Sequence, residues 1–290
     1  MKQRYKIFIY LFFFLFSLAF ILPFLLLIGI SFSTEEDVAR FGFSIIPRTF
    51  STEAYEYVFA NPDNLVSSYV VTIGYAFLGT ALSVAIMAMM GYALARDGFV
   101  YKKAITWFLL ITMFFRGGIT PEYVINTQVY HLQDNLLIYL VSGLVSAYTV
   151  FVFKTFFGQL PKSLIESACL DGASEWQILT RVTLPLSKPV LATFFLFGLL
   201  SRWNNFEVSL YYIMTPKWYS LQYLLQQVLN EAKMLDQMMQ NIPGVVAGDA
   251  PPAEIIKFAI CILAAVPMLV VFPFFQRYFS KGMVVGAVKG

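Results

Sequence analysis

Charged residues are scarce in this chain. Of its 290 residues, 13% are charged and 59% are hydrophobic, including 30 Phe and 17 Tyr. A soluble domain carries about 25% charged residues, so this chain lacks the polar side chains that would cover a soluble globule of its length. The composition excludes intrinsic disorder, and a net charge of +3 excludes a nucleic-acid-binding domain built on a basic face. It indicates a chain solvated largely by lipid.

Residues that bind metals, form disulfides or hold nucleotides are also rare. The single histidine, His131, excludes a metal site built from several histidines, and the two cysteines, Cys169 and Cys261, cannot form a disulfide framework. The Gly-x-x-x-x-Gly-Lys-Ser/Thr pattern of a phosphate-binding loop occurs nowhere in the sequence. We therefore expect no catalytic, cofactor-binding or metal site in this chain.

Long uncharged runs indicate helices that cross a membrane. A helix needs roughly 20 apolar residues to span the hydrocarbon core of a bilayer. Four runs reach or approach this length, and two shorter runs, 104–115 and 189–201, are bounded by charged residues. The predicted crossings are 7–32, 66–95, 102–117, 135–153, 189–213 and 257–276.

The distribution of Lys and Arg favours six crossings over fewer. With six, one side of the membrane holds 13 of the 20 Lys and Arg on 63 residues, and the other side holds 7 on 108. Cytoplasmic segments carry such an excess of basic residues. We therefore predict an all-α membrane protein, a single permease domain over 1–290, with both termini cytoplasmic. The first run is longer than the apolar part of a signal peptide, so we expect an uncleaved helix.

Two segments on the outer side have recognisable patterns. Polar and turn-forming residues in 33–65 predict a loop with one short helix. In 220–240 the apolar residues recur at i, i+3, i+4, i+7 and i+8, which predicts an amphipathic helix.

The cytoplasmic loop 154–188 has the pattern of a helical hairpin. Ser163 is followed three residues later by Glu166, which predicts a capping box that opens a helix ending near Leu170. Asp171-Gly172-Ala173 predicts a turn with a glycine at positive φ, and Ser174 with Gln177 predicts the start of a second helix. We expect Pro185 to end that helix. Spacing alone leaves open whether the hairpin binds a partner or packs beneath the bundle.

The hairpin also carries a family motif. Glu166-Ser167-Ala168, Gly172 and Val182-Thr183-Leu184-Pro185 resemble the EAA–G–(I/V)xLP motif of permease subunits of binding-protein-dependent ABC importers. The string from Glu166 to Ser174 is similar to the maltose-transporter type. Further similarity, to the subgroup that handles oligosaccharides from complex polysaccharides, lies in 117–123, in Trp203-Asn204-Asn205 and in the tail 272–290. Ser167 and Cys169 depart from the more usual alanine.

The resemblance implies a type I ABC importer permease fold with a cytoplasmic coupling helix. It implies a homologous second permease, two copies of an ABC ATPase that binds ATP and Mg, and an extracellular or periplasmic sugar-binding protein, all at the bacterial plasma membrane and without nucleic acid. In the family the hairpin docks into a groove of the ATPase and moves when two ATPase subunits close on ATP. The coupling residues carried over are Glu166, Ser167, Ala168, Asp171, Gly172, Ala173, Leu184 and Pro185.

A second candidate site lies near the fifth predicted crossing. Polar residues within a membrane are costly and are expected to face a cavity or an interface, and aromatic rings beside amides and carboxylates can bind a sugar. The candidate pathway residues are Arg202, Trp203, Asn204, Asn205, Glu207 and Tyr211. An interfacial aromatic belt with charges that reach the headgroups explains the same pattern.

Three other functions bear on the interpretation. An importer permease for a solute such as a polyol fits the same motif. A channel or secondary transporter needs no ATPase, and the hairpin motif argues against it. An intramembrane enzyme needs convergent acidic or nucleophilic groups, whereas the predicted crossings contain no acidic residue except Glu207, which lies at an edge. We reject the enzyme and favour a permease subunit that imports a sugar.

Overall fold

A computed structural model describes residues 2–115, 117–240 and 253–287 of the chain. Within these ranges every regular element is helical, which agrees with the predicted all-α class. Three helical segments are long and apolar enough to cross a membrane, and five spans result if each of two bent helix pairs counts as one. The six crossings, their orientation and the single domain therefore stay predictions, and Arg116 and Val288–Gly290 lie outside the described residues.

The helices follow one another in chain order with short connections. They are α1 (Lys2–Ser31), α2 (Glu35–Phe41), α3 (Glu53–Val58), α4 (Pro62–Ala95), α5 (Lys102–Phe114), α6 (Ile119–Val124), α7 (Leu137–Val141), α8 (Ala147–Gly158), α9 (Lys162–Leu170), α10 (Glu175–Gln177), α11 (Leu184–Leu186), α12 (Lys188–Trp203), α13 (Glu207–Tyr212), α14 (Leu221–Gln240) and α15 (Ala253–Ala287). Residues Ile125–Val129 and Ile178–Thr183 form π-helical turns, and Pro216–Trp218 forms a 3₁₀ turn.

One compact unit comprises residues 1–65 and 224–268. The end of α1 packs there against the following loop, because Gly29 has no side chain: a Cβ at this position would lie 2.1 Å from the carbonyl oxygen of Ile45. Phe32 stacks on both Phe50 and Tyr55, with ring centroids 5.3 and 4.8 Å apart. The prediction of a single short helix in 33–65 is wrong, since two short helices form, α2 and α3.

The second unit comprises residues 66–223 and 269–290. Within it, α4 approaches α8 and α12 closely. Gly91 of α4 brings the backbone of α8 close, because a Cβ there would lie 2.6 Å from the Cβ of Phe153. Gly198 of α12 meets Thr80 of α4, whose Cγ2 would lie 2.9 Å from an added Cβ. Small residues permit such close helix approach within membranes.

The predicted fourth crossing, 135–153, does not form one helix. It contains α7 and the first half of α8, separated by residues 142–146. Ser142 is extended, Gly143 has a φ of +64°, and the Ser146 hydroxyl accepts a hydrogen bond from the Thr149 amide to open α8. The prediction of one continuous helix from this uncharged run is therefore wrong, because a glycine at positive φ and a serine N-cap interrupt it.

The predicted fifth crossing, 189–213, is also interrupted. Helix α12 begins at Lys188 with Pro189 in its first turn, as expected, but it ends at Trp203. Residues 204–206 separate it from α13, and the Asn205 side chain accepts a hydrogen bond from the Val208 amide at the start of that short helix. An Asn side chain that bonds to nearby backbone in this way favours a break over helix continuation.

Candidate functional site

The hairpin predicted in 154–188 forms, and its turn is fixed by backbone hydrogen bonds. Helix α9 ends at Leu170, as predicted, and Gly172 has a φ of +77°. The Ala173 amide donates to the Ala168 carbonyl and the Gly172 amide to the Cys169 carbonyl, each at 3.0 Å. This pair of bonds is the Schellman motif, which needs a left-handed residue where glycine has no steric cost. The turn is therefore rigid.

The second arm of the hairpin joins the core of its unit. The Ser174 hydroxyl accepts a bond from the Gln177 amide and the Gln177 side chain accepts one from the Ser174 amide, which confirms the predicted capping box. Ile178 and Leu179, in the π-helical turn, are buried in one apolar cluster with residues of α4, α5 and α8. The hairpin is thus anchored on one side and free on the other.

Two sequence-based expectations for the hairpin are wrong. The Ser163–Glu166 capping box does not form, because Pro161 takes the N-cap position and Ser163 lies inside the helix. Pro185 does not end the second helix, since Leu184 keeps helical angles and α11 continues to Leu186. The preference against a helical residue before proline is overridden after the wider π-helical turn.

The free side of the hairpin exposes large apolar side chains. Leu170, beside the turn, is 89% exposed and Trp176 is 63% exposed. Of the predicted coupling residues, Glu166, Ser167, Asp171, Gly172 and Pro185 are exposed, whereas Ala168, Ala173 and Leu184 are half-buried. Leu170 was not among them. An apolar residue next to a Gly turn in a polar loop was the signal that could have indicated it.

The hairpin is also tied to the end of α4 and to the connection after it. Arg96 and Tyr92 donate hydrogen bonds to Glu175, and the Lys162 Nζ lies 3.1 Å from Asp97 Oδ2. The hydrogen bond and charge of Lys162 hold the pKa of the Asp97 carboxyl below its usual range. A cavity of about 680 Å³ lies among these groups and is also lined by Glu166 and Trp176. Sequence reasoning missed this attachment.

The pathway candidates lie around a smaller cavity of about 380 Å³, but only some line it. Arg202 and Asn205 line this cavity together with Tyr75, Tyr139 and several serines. Trp203 is 1% exposed and therefore cannot present a ring face to a sugar in this conformation. The remaining candidates, Asn204, Glu207 and Tyr211, are exposed and do not line the cavity.

Arg202 performs a structural task beside this cavity. Its Nη1 donates to the carbonyls of Tyr139 at 2.8 Å and Ser142 at 3.3 Å, and its Nη2 donates to Gly143 at 3.5 Å. These carbonyls belong to the end of α7 and the break that follows, where helix carbonyls have no partner within the helix. The Tyr75 hydroxyl in turn donates to the Arg202 carbonyl at 2.6 Å. Arg202 therefore stabilises the interruption of the fourth predicted crossing.

Asp134 binds the chain after α13 on what we predict to be the outer side. Its carboxylate accepts hydrogen bonds from the Met214 and Thr215 amides, both at 3.0 Å, and from the Thr215 hydroxyl at 2.7 Å. The Asp134 amide donates to the Tyr212 carbonyl at 2.7 Å. The Thr215 hydroxyl, followed by the two amides, lowers the pKa of the Asp134 carboxyl below its usual value.

Replacing Asp134 with Asn is expected to lower the thermal stability at pH 6 and to lower it by less near pH 3. A carboxyl whose pKa is lowered on folding stabilises the fold above its unfolded pKa of about 3.9 and loses that contribution as the pH falls through its folded pKa. Thermal unfolding of both proteins in detergent across this range measures the difference. An equal difference at both pH values would contradict the charge-based explanation.

Comparison with known proteins places the chain in a family. Residues 99–285, more than half of the chain, match the family model described as binding-protein-dependent transport system inner membrane component. The chain belongs to this family. The resemblance derived from the hairpin motif is thereby confirmed, and the chain is a multi-pass membrane protein.

Named relatives are similar over nearly their whole length. Protein LplC of Bacillus subtilis (strain 168) is 37% identical over 93% of this chain and 90% of that protein. The polygalacturonan/rhamnogalacturonan transport system permease protein YtcP of the same organism is 33% identical over 100% of each chain. The arabinooligosaccharides transport system permease protein AraQ, also of that strain, is 28% identical over 99% of this chain and 96% of that protein.

A solved structure has the same fold. It is described as a bacterial ABC transporter involved in the import of the acidic polysaccharide alginate. The TM-score is 0.76 with 25% sequence identity, and the match covers 96% of this chain and 97% of that one. The chain therefore has the fold of an ABC importer permease.

Proposed function

We propose that this chain is the permease subunit of an ATP-driven importer that carries an oligosaccharide into the cytoplasm. Family membership supports the importer. Relatives named as transport system permeases for polygalacturonan/rhamnogalacturonan and for arabinooligosaccharides support the substrate class. The permease pairs with a homologous permease in the bacterial plasma membrane. Two ABC ATPase subunits, which bind ATP and Mg, sit on the cytoplasmic side, and a sugar-binding protein docks on the outer side.

The observation that carries the proposal is the hairpin with its rigid turn and exposed apolar face. Leu170 and Trp176 are large, apolar and mostly exposed. They lie beside residues that match a coupling motif. Such residues are candidates for the apolar centre of an interface. A rigid hairpin that docks on the ATPase transmits a displacement that a flexible one would absorb.

Replacing Leu170 with Asp is expected to abolish ATPase capture while leaving the permease folded. Leu170 is 89% exposed, so its loss removes little packing within the chain. Burial of a leucine in a partner contributes about 1.5–3 kcal/mol, which corresponds to roughly a 10- to 100-fold change in affinity. The measurement is affinity purification of the tagged permease from host membranes, with the co-purified ABC ATPase identified by mass spectrometry and by Mg-dependent ATP hydrolysis.

The matched control is Val100→Asp. Val100 is 86% exposed and lies between α4 and α5, outside the hairpin but on the same predicted side of the membrane. We expect this variant to capture as much ATPase as the wild type. Absence of an ATPase from the wild-type preparation, or equal loss in both variants, would show that the hairpin is not the docking element.

A further inference from the structure

Helix α4 and the hairpin are not consecutive in the chain. The chain enters the hairpin from α8 and leaves it into α12, whereas α4 ends at Ala95, well before the hairpin begins. A displacement of the hairpin reaches α8 and α12 through the backbone, but it reaches α4 only through side-chain contacts. Apart from the close packing of α8 on α4 at Gly91, the contacts between the hairpin and α4 therefore determine how closely that helix follows.

The principal polar contact is a cluster of three residues, Tyr92, Arg96 and Glu175, which we call the Glu175 cluster. The Tyr92 hydroxyl donates to Glu175 Oε2, and Arg96 Nη2 donates to Glu175 Oε1 at 2.7 Å. The guanidinium carbon of Arg96 lies 5.9 Å from the centre of the Tyr92 ring. Both carboxylate oxygens are thus bound by groups at the end of α4, and hydrogen bonds to a charged group fix orientation well.

Apolar packing lies directly behind the cluster. Tyr92 is 7% exposed and belongs to the same buried group as Met87 of α4 and Ile178 and Leu179 of the hairpin. Apolar contacts hold surfaces together, but the hydrophobic effect is non-directional and tolerates sliding. The two directed bonds to Glu175 oppose such sliding, so packing and polar contacts together make a stiff joint.

The α4 side of this joint belongs to a helix that also contacts α8 and α12 closely. At Gly91, one residue before Tyr92, α4 and α8 approach closely, and Thr80 contacts α12 at Gly198. A movement of α4 is therefore expected to displace α8 and α12 at these two points, because closely packed atoms cannot move through one another.

We propose that Glu175 is a positioning residue that locks the coupling hairpin to α4, so that both move as one body when the ATPase displaces the hairpin. The inference rests on the proposed function. Glu175 is 60% exposed and Arg96 is 28% exposed, and an exposed ion pair contributes little net stability. The role of this ion pair is therefore to fix the direction in which the hairpin and α4 move together. The test must measure movement of the hairpin relative to α4.

The test compares one intramolecular distance in two states of the whole transporter. Spin labels are placed at Ser163→Cys in the hairpin and Val70→Cys in α4, both at exposed positions, after Cys169 and Cys261 are replaced with Ser. The permease with its captured ATPase is measured in lipid nanodiscs, nucleotide-free and trapped with ATP, Mg and vanadate. We expect the wild-type distance to shift by less than about 2 Å, as within a packed unit, and the Glu175→Ala distance to shift by more than about 4 Å.

Two further variants separate the joint from general weakening of the hairpin. Lys162→Gln removes another exposed ion pair of the hairpin, with Asp97, and should behave like the wild type. Glu175→Gln retains an acceptor for Tyr92 or Arg96 and should restore most of the wild-type behaviour. Both variants and Glu175→Ala should capture ATPase normally, because the Glu175 cluster includes neither Leu170 nor Trp176.

The possible outcomes distinguish this inference from the docking proposal. If the wild type captures no ATPase, the docking proposal and this inference both fail. If ATPase is captured and the wild-type distance changes on trapping, or if Glu175→Ala keeps the wild-type distance in both states, only the joint is wrong. A shift in Lys162→Gln as large as that in Glu175→Ala would also overturn it.

Discussion

The Gly91→Leu variant is expected to lose most of its folded, monodisperse permease. An added Cβ at position 91 would lie 2.6 Å from the Phe153 Cβ and 3.1 Å from the Lys154 amide nitrogen, so α4 and α8 must separate. Backbone cannot move aside as a flexible side chain can, and overpacking costs about 1–3 kcal/mol or more. The gain in helix propensity over glycine, about 1 kcal/mol, does not offset this for a side chain as large as leucine.

The same helix supplies the control for this substitution. Gly74 also lies in α4, and an added Cβ there meets no atom within 4 Å. We expect Gly74→Leu to retain or slightly raise the melting temperature of the purified permease, while Gly91→Leu lowers it by several degrees or prevents purification. Equal melting temperatures would show that α4 and α8 separate at little cost, and the close approach at Gly91 would then be unimportant.

The second large effect is expected from Arg202→Met. Methionine fills a similar volume but donates no hydrogen bond, so the carbonyls of Tyr139, Ser142 and Gly143 lose the guanidinium. An unsatisfied buried polar group costs about 1–3 kcal/mol, and Tyr139 is 2% exposed. We therefore expect a marked loss of thermal stability, measured by unfolding in detergent, before any transport is assayed.

This result would separate a structural role from the predicted role in the sugar pathway. Arg202→Lys retains a charge and one compact donor group, so it should recover part of the stability. Asn204→Ala changes an exposed neighbour, just after α12, whose side-chain amide donates to the Leu200 carbonyl, and it should leave stability nearly unchanged. Normal stability of Arg202→Met together with lost transport would instead support the pathway assignment.

Local features of the hairpin were predictable because each depends on residues close in sequence. Gly172 takes the left-handed conformation, and Ser174 with Gln177 forms a capping box. The amphipathic pattern of 220–240 likewise corresponds to α14, with Leu221 and Leu225 buried. Such patterns determine local structure directly, since their geometry extends over only one or two helical turns.

Features that depend on distant residues were not predictable. Arg202 is 63 residues from Tyr139 in the chain, and Tyr92 is 83 residues from Glu175. Neither spacing produces a periodic pattern, so the sequence identified Arg202 as costly in lipid without identifying its partners. The breaks in the predicted fourth and fifth crossings have local signals, but carbonyls beside them are bound by the distant Arg202 and Tyr75 side chains, which no short pattern reveals.

The length of α4 gives the Glu175 cluster a counterpart at the far end of the helix. The Leu221 amide, at the start of α14, donates to the Thr72 hydroxyl of α4 at 2.8 Å. Thr72 precedes Tyr92 by 20 residues within this one helix, a rise of about 30 Å, which equals the thickness of a bilayer's hydrocarbon core. One continuous helix, long enough to cross the lipid, therefore joins the hairpin to the first turn of the amphipathic helix that we predict on the outer side, and a tilt of α4 would displace both of its ends at once.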